Sequence, residues 1–237
     1  MRKIIFISVA VLLNMSLFSQ TYQQQYSAEC EEAIGFYRTH KAKFDAIALA
    51  TGLDSRFLFS IVAPEVSQFS YLSNIAETYS LKVLYVQGGK NYSNFSIGYF
   101  QMKPSFVEGI EEFLKNNDNL KSKYQECFIK KDSERETRVE RLKRLESIDW
   151  QFKYLSVFCD IVTYRFGNKE FDNDNEKLKF YAATYNSGFN KSKEHIEEMK
   201  EKSLFPHFSR NKYKYADIAV YFYENISKNK PAFNAKS

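Results

Sequence analysis

Three short segments of the sequence combine polar side chains with apolar or small neighbours in patterns that could support chemistry. The first, SIVAPEVSQF, places one carboxylate, Glu65, directly after Pro64, which lacks an amide hydrogen and so predicts a nearby helix end. On a helix, Glu65 shares a face with Leu58 and Ile61. Partial desolvation there raises the pKa of the carboxyl group and favours a general acid that is protonated near neutral pH. An ordinary glutamate at a helix end fits the same pattern.

The other two segments supply amides, a phenol and glycines. In NFSIGYFQMKPSF, Gly98 permits unusual backbone angles, and Gln101 is an amide between apolar neighbours that needs a partner or a ligand. In YAATYNSGF, a helix of small residues ends at Tyr185 and Asn186, before a glycine that favours a left-handed exit. Tyr185 could donate a hydrogen bond to a carboxylate, and Asn186 could bind an amide or a hydroxyl group. Each segment alone is also compatible with an ordinary turn or helix cap.

Several other catalytic and metal-binding patterns are absent from the sequence. The three histidines lack metal-ligand spacing, and neither HExxH nor CxxC occurs. No GxSxG marks a serine nucleophile, and Gly88-Gly89-Lys90 lacks the rest of a phosphate-binding loop. The sequence therefore predicts a site with no metal and no cofactor.

The elements that must position these segments are predicted to be helices. Helical spacing and capping patterns favour a mainly α-helical fold, in a single domain with few or no short strands, because no linker or repeat divides the chain. Residues 81–87 fit either a strand or a helix. The predicted helices with defined ranges are 41–51, which ends before Gly52, 105–115, which Ser105 caps, 149–165, 176–184, 191–202 and 215–226. Two further helices are predicted from their caps, one after Asp54 and a charged one after Ser133.

The N-terminus has the pattern of a secretory signal peptide. Met1-Arg2-Lys3 precedes a short apolar run, which is less than the roughly 20 residues that span a bilayer. We expect a signal peptide at 1–19, a domain at 20–229 and a loose tail at 230–237. Export would then place the protein in a periplasm or outside the cell, with no transmembrane segment after signal cleavage.

Charge and cysteine content restrict the remaining partners. Removal of Arg2 and Lys3 would lower the formal charge from +5 to +3, and acidic residues are interleaved with the basic ones. This balance does not favour a nucleic-acid partner. Cys30, Cys127 and Cys159 cannot all pair within one chain, so at most one disulfide is possible and its partners stay open.

Taken in order, the segments resemble blocks of the soluble lytic transglycosylases, whose lysozyme-like fold is shared by goose-type lysozymes. GLDSRFLFSIVAPE resembles the helix that ends in the family's catalytic glutamate. GYFQMKPS resembles the block Gly-Leu-Met-Gln-x-Met-Pro, and YAATYNSG resembles Ala-x-Ala-Tyr-Asn-Ala-Gly. DWQFKYL and YKYADIAVYF occupy the places of two further family helices, so the resemblance spans residues 52–222.

The resemblance implies a peptidoglycan lytic transglycosylase that cleaves the β-1,4 bond between N-acetylmuramic acid and N-acetylglucosamine. Glu65 would protonate the leaving oxygen, and the 2-acetamido oxygen of the substrate would attack the anomeric carbon. Glu65 would then take a proton from the muramyl 6-hydroxyl group, leaving a 1,6-anhydro end. Most glycosidases use two carboxylates, whereas the three segments supply one. Tyr185 would orient Glu65, while Gln101 and Asn186 would hold the N-acetyl groups and the sugar.

The sequence departs from the family pattern beside the catalytic residue. Val66 stands where the family usually has serine, which leaves Ser67 as the nearest substitute for a substrate-facing hydroxyl group. The backbone of Gly98, Tyr99 and Phe100 is expected to line the floor of the cleft.

Two alternatives follow from these departures. The 32 residues between Glu65 and Gly98 exceed the family norm, and the excess around 71–92 could form an extra cleft wall. This segment contains Glu77, which could activate water in a hydrolytic muramidase. The change at Val66 favours a non-catalytic peptidoglycan-binding or scaffold protein that keeps the cleft.

Overall fold

The computed structural model describes residues 20–72 and 75–227, except for the side chains of residues 71–78. The predicted signal peptide and tail lie outside these residues. The described part is confirmed as mainly α-helical, with one two-stranded antiparallel sheet. Its elements are α1 (Tyr22–Gln25), α2 (Ser27–Thr39), α3 (Lys41–Thr51), α4 (Ser55–Leu72), α5 (Ile75–Gly88), α6 (Pro104–Lys115), α7 (Asp118–Lys123), α8 (Glu134–Glu146), α9 (Ile148–Phe166), α10 (Asp174–Ser187), α11 (Lys193–Lys200), β1 (Ser203–Phe205), β2 (Tyr213–Lys214) and α12 (Tyr215–Asn225).

Local capping signals fix several helix ends as predicted. α3 ends at Gly52, whose left-handed backbone (φ 73°) suits glycine and whose N–H bonds to Ala48 O. The Asp54 carboxylate accepts the N–H of Arg56 at 2.9 Å and so caps α4. Ser133 caps α8 in the same manner. Residues 81–87 belong to α5, so the helical alternative for this segment is the correct one.

The helix predicted from the Pro104-Ser105 pair is confirmed as α6, but the prediction that Ser105 caps it is wrong. The helix begins at Pro104, and Lys103 is its N-cap residue. Proline is favoured at the first helical position, because the N–H that it lacks would have no partner there. The N–H of Ser105 bonds to the Asn94 side chain at 3.2 Å, so the cap comes from a preceding loop.

The helix end predicted at Pro64 is also wrong, because Pro64 lies inside α4. α4 is central in the fold and packs against α2, α3, α10 and α12. Its apolar residues 57–59 and 61–63 are buried. Near the proline, the carbonyl of Ile61 accepts a hydrogen bond from the Tyr215 hydroxyl group on α12 at 3.0 Å. Tertiary packing on several sides allows the helix to continue past a residue that disfavours it.

Four residues form a buried contact that joins α5 to α6 and α8, and we call it the ionic cluster: Tyr85, Glu108, Glu111 and Arg141. The Arg141 guanidinium donates to both carboxylate oxygens of Glu111, at 3.0 and 2.8 Å, and to the Tyr85 hydroxyl group at 2.6 Å. Tyr85 in turn donates to Glu108 at 2.9 Å. The ionic cluster therefore fixes α5 against the rest of the domain.

The three cysteines all lie in the described part of the chain, where they are buried with free thiols. Among the described helices, none is by itself long and apolar enough to cross a membrane. Only α3 together with Ser55–Ser70 reaches that length and composition, and these two segments are bent by 120° at the break between them.

Candidate functional site

A single cleft of about 660 Å³ brings together four of the predicted site residues: Glu65, Gln101, Tyr185 and Asn186. They come from α4, from the loop before α6, and from the end of α10. Residues separated by 120 positions in the sequence thus meet at one concave surface, which is where binding sites for small ligands are usually found. Leu81 also lines the cleft, so the segment 71–92 does contribute to its wall.

Glu65 lies on the cleft face of α4 and is partly buried. Burial raises the pKa of its carboxyl group to about 8, and the nearby Lys103 ammonium opposes this rise. Among the side chains that the structure describes, none forms a hydrogen bond or an ion pair with Glu65. Because burial outweighs the Lys103 charge, the neutral form of the Glu65 carboxyl group predominates at neutral pH.

Two tyrosines, Tyr185 and Tyr215, lie near Glu65. Burial raises the pKa of both hydroxyl groups well above the usual value, and the Glu65 charge raises it further. Tyr185 donates its proton to the carbonyl of Phe100 at 2.6 Å, and Tyr215 donates to that of Ile61. The predicted direct bond from Tyr185 to Glu65 is therefore not formed, because the hydroxyl proton is used on the loop that carries Gln101.

That loop is a tight turn between Ile97 and Met102, whose backbone groups pair at 3.0 and 3.2 Å. Gln101 has a positive φ of 48°, and its Nε2 donates to Gly98 O at 2.7 Å. Gly98 also has a positive φ, of 72°, and a Cβ atom there would lie 1.8 Å from Nε2 of Gln151. Only glycine fits this position. The side-chain nitrogen of Gln101 therefore bonds within the loop, and the side-chain oxygen is available to a ligand.

Asn186 occupies the last turn of α10, just before the chain leaves the helix. The predicted helix end at 184 is too early, because α10 runs to Ser187. Gly188 follows with φ 105° and ψ 128°, which is a positive φ but not the predicted left-handed helical exit, and its N–H bonds to Thr184 O. The hydroxyl group of Ser187 turns back to Ala183 O at 2.7 Å. Asn186 itself is partly buried and lines the cleft, so its amide can offer both a donor and an acceptor there.

The other four predicted contact residues, Ser67, Gly98, Tyr99 and Phe100, do not line the cleft. The hydroxyl group of Ser67 is 2% exposed and bonds to Tyr22 Oη at 2.6 Å. Ser67 follows Glu65 by two positions, so on a helix it points away from the acid's face. Phe100 is fully buried, and Tyr99 stacks on Phe69 at the surface, with ring centroids 4.1 Å apart. Of the four, Phe100 is tied to the site through its carbonyl, which accepts the hydrogen bond of Tyr185.

Sequence reasoning did not single out three side chains that line the cleft, namely Gln68, Lys103 and His207. Gln68 is fully buried and donates to Tyr22 Oη at 2.6 Å. His207 belongs to the loop between β1 and β2. Strands of three and two residues leave no periodic pattern in a sequence, so this loop had no local signal. Gln68 did have one, since it shares a helix face with Glu65 three residues earlier.

Comparison of the chain with protein-family models, with curated proteins and with solved structures finds no match. The resemblance to lytic transglycosylases therefore stays a prediction that rests on five short segments and their order. What the structure adds is spatial: side chains from three of those segments line one cleft.

Proposed function

We propose that the protein is a peptidoglycan lytic transglycosylase in which Glu65 is the catalytic acid and base. One observation carries the proposal: the carboxyl group with a pKa of about 8 lies in the same cleft as Gln101, Tyr185 and Asn186. A general acid needs a pKa near the operating pH, so that it holds a proton before the reaction and can release it.

In the first step, Glu65 donates its proton to the bridging oxygen while the bond from that oxygen to the anomeric carbon breaks. The acetamido oxygen of the muramyl residue forms a bond to the same carbon and spreads the positive charge. In the second step, the Glu65 carboxylate takes the proton of the 6-hydroxyl group, whose oxygen replaces the acetamido oxygen at the anomeric carbon. Glu65 is thereby reprotonated, and the product carries a 1,6-anhydro ring.

The neighbours of Glu65 position the substrate. The Gln101 oxygen is free to accept an N–H from an N-acetyl group, because the amide nitrogen is held by Gly98 O. Asn186 offers an amide on the wall formed by α10. Tyr185 acts indirectly, since its bond to Phe100 O fixes the turn that presents Gln101.

The scaffold alternative loses its main support. It relied on Val66 in place of a serine, but Val66 is only 8% exposed and does not line the cleft. The position therefore faces the core, where an apolar side chain packs well and a hydroxyl group would need a partner.

The hydrolytic alternative requires a second carboxylate that activates water. The side chain of Glu77, the sequence candidate, lies outside the described residues. Among the side chains that are described, Glu112 is a second carboxylate on the cleft. It lies nine residues beyond Lys103 on α6, roughly 13 Å along the helix axis at 1.5 Å per residue. Inverting glycosidases hold their two carboxyl groups about 6.5–9.5 Å apart. The Lys103 charge acts on the pKa of Glu65 and the Glu112 charge does not, so Glu112 is the weaker candidate for a partner of this acid.

Purified sacculi test the proposal. We expect the wild-type protein to release muropeptides with 1,6-anhydro ends, and Glu65→Gln to lower the rate at least about 100-fold, the usual contribution of a general acid. Glu112→Gln is the matched control and should retain activity. Reducing ends in mass spectra would instead indicate a hydrolase. Retained turnover by Glu65→Gln, or binding of sacculi without any release by the wild type, would reject the assignment.

A further inference from the structure

Two basic side chains, Lys103 and His207, lie on the cleft beside Glu65. Lys103 precedes α6, and His207 comes from the loop between β1 and β2. Burial and the Lys103 charge lower the pKa of His207, and the same ammonium group lowers that of Glu65. Lys103 is therefore close enough to both the acid and the imidazole for its charge to act on each of them. Among the described side chains, which do not include those of residues 71–78, no carboxylate forms an ion pair with either basic side chain.

A second lysine, Lys212, holds this arrangement in place. The Lys212 ammonium donates to the carbonyls of Pro206 and His207, both at 2.7 Å, and so fixes the loop that carries His207. The Lys212 charge also lowers the pKa of His207. Two lysines and an imidazole thus act on one another here, and no carboxylate among the described side chains forms an ion pair with any of the three.

The other lysine on the cleft provides a contrast. Lys90 is paired with Glu108 of the ionic cluster at 3.0 Å, so its charge is balanced within the protein. Positive charge without a balancing acid is therefore concentrated on the Glu65 side of the cleft. Concave surfaces with one sign of charge attract ligands of the opposite sign, and the neutral form of Glu65 does not cancel this field.

Lys103 also distinguishes this chain from the block that it resembles. In that block, Gly-Leu-Met-Gln-x-Met-Pro, the residue before the proline is methionine, whereas here it is Lys103. The backbone around it is rigid, because Met102 pairs with Ile97 and Pro104 begins α6. A flexible cation on a fixed backbone can reach an anionic group close to the scissile bond.

We propose that Lys103, with His207 beside it, binds a carboxylate on the O3 substituent of the muramyl residue next to the scissile bond. This inference rests on the proposed function. The carboxylate has two possible sources, the lactyl group of a peptide-free strand or the peptide stem of an intact one. In either case Lys103 is a specificity determinant that favours muramyl glycans over neutral glycans such as chitin.

Binding to the inactive Glu65→Gln protein tests the inference without turnover. The probes are a chitin oligosaccharide, a peptide-free glycan strand and a peptide-bearing strand of equal length, each titrated by calorimetry. We expect the carboxylate-bearing strands to bind about tenfold more tightly than chitin, which corresponds to one charge-assisted contact. Adding Lys103→Met should remove this preference and leave chitin binding unchanged. Adding Lys90→Met is the matched control and should preserve the preference.

The outcomes separate the two proposals. The lactyl carboxyl group is an amide in the peptide-bearing strand, so tight binding of the peptide-free strand alone assigns the lactyl carboxylate. Tight binding of the peptide-bearing strand alone assigns the stem, and tight binding of both means that Lys103 accepts a carboxylate from either source. Equal binding of all three glycans, or a preference that survives Lys103→Met, overturns this inference and leaves the proposed function standing. If no glycan binds, both fail.

A second measurement needs no ligand. In an NMR titration, removal of the Lys103 charge should raise the pKa of the His207 imidazole, since the Lys103 ammonium lowers it. The same spectra report whether the Lys103→Met protein is folded. An unchanged His207 pKa in the folded variant would show that the two groups are not neighbours and would overturn the inference.

Discussion

Glu65 and Glu111 are both withdrawn from water, yet the protein treats the two carboxyl groups in opposite ways. Glu111 is 8% exposed and receives two hydrogen bonds from Arg141, which is itself 6% exposed. Glu65 has no such partner among the described side chains, and burial raises its pKa to about 8.

The difference illustrates a general constraint. A carboxylate can leave water with a counter-ion and hydrogen bonds, or it can leave water with a proton. Glu111 is buried together with a counter-ion, and its bonds to Arg141 hold α6 against α8. Glu65 is buried together with a proton. A carboxylic acid that stays protonated well above its usual pKa can deliver that proton to a substrate. The ionic cluster stabilises the cleft wall, and the unpaired acid is available for chemistry.

The largest expected effect comes from breaking the ionic cluster. Arg141→Met would leave Glu111 buried without its counter-ion, so the free energy of unfolding should fall by about 3–5 kcal/mol. Urea denaturation followed by circular dichroism measures the change. A loss below about 1 kcal/mol would mean that Glu111 does not depend on Arg141, and the contrast with Glu65 would not hold.

On the cleft side, Gly98→Ala should destabilise the protein by about 2–4 kcal/mol, because a Cβ atom would displace Gln151 and the backbone has a positive φ. Thermal unfolding measures the loss. Gly35→Ala is a suitable control: Gly35 lies inside α2, a Cβ atom there meets nothing within 4 Å, and alanine should stabilise the helix by about 0.5–1 kcal/mol. Equal effects at the two glycines would contradict the proposed strain in the turn.

The pH dependence of stability tests the proton on Glu65 without any substrate. Since burial raises the pKa of Glu65 from 4.5 to about 8, the unfolded chain releases this proton earlier than the folded one as pH rises. The contribution of Glu65 to stability is therefore lost progressively between these two values. Because Glu65 is only partly buried, we expect wild type to lose about 1–2 kcal/mol relative to Glu65→Gln between pH 5 and 8, well below the full linkage value. Parallel stability curves for the two proteins would show that Glu65 has an ordinary pKa.

The smallest effect is expected for Tyr185→Phe, which leaves the carbonyl of Phe100 without its donor. The cost in stability should be about 1 kcal/mol, measured by urea denaturation. Release of muropeptides should fall by more than this loss of stability explains, because Gln101 would be held less firmly. Tyr164→Phe, at a residue that is 61% exposed, is the control and should change neither quantity. Equal behaviour of the two variants would mean that the Tyr185 hydroxyl group does not position the turn.

The features that were predicted correctly depend on residues close together in the chain. Gly52 ends α3, and Asp54 and Ser133 cap their helices, because each bond joins residues within four positions of one another. The inward face of Glu65 follows from the helical repeat, which needs no knowledge of the rest of the fold.

The tertiary structure decided what depends on distant partners. Pro64 lies inside a helix because α12 packs there and Tyr215 binds a carbonyl of α4. The hydroxyl group of Ser67 is bound to Tyr22 and does not line the cleft, and the Lys103 charge acts on His207, which lies about one hundred residues further along the chain. The sequence by itself determined which groups could act as an acid, an amide contact or a cap. The pKa of Glu65, and hence the proton that it carries, depends on burial. Burial arises only when the helices pack together.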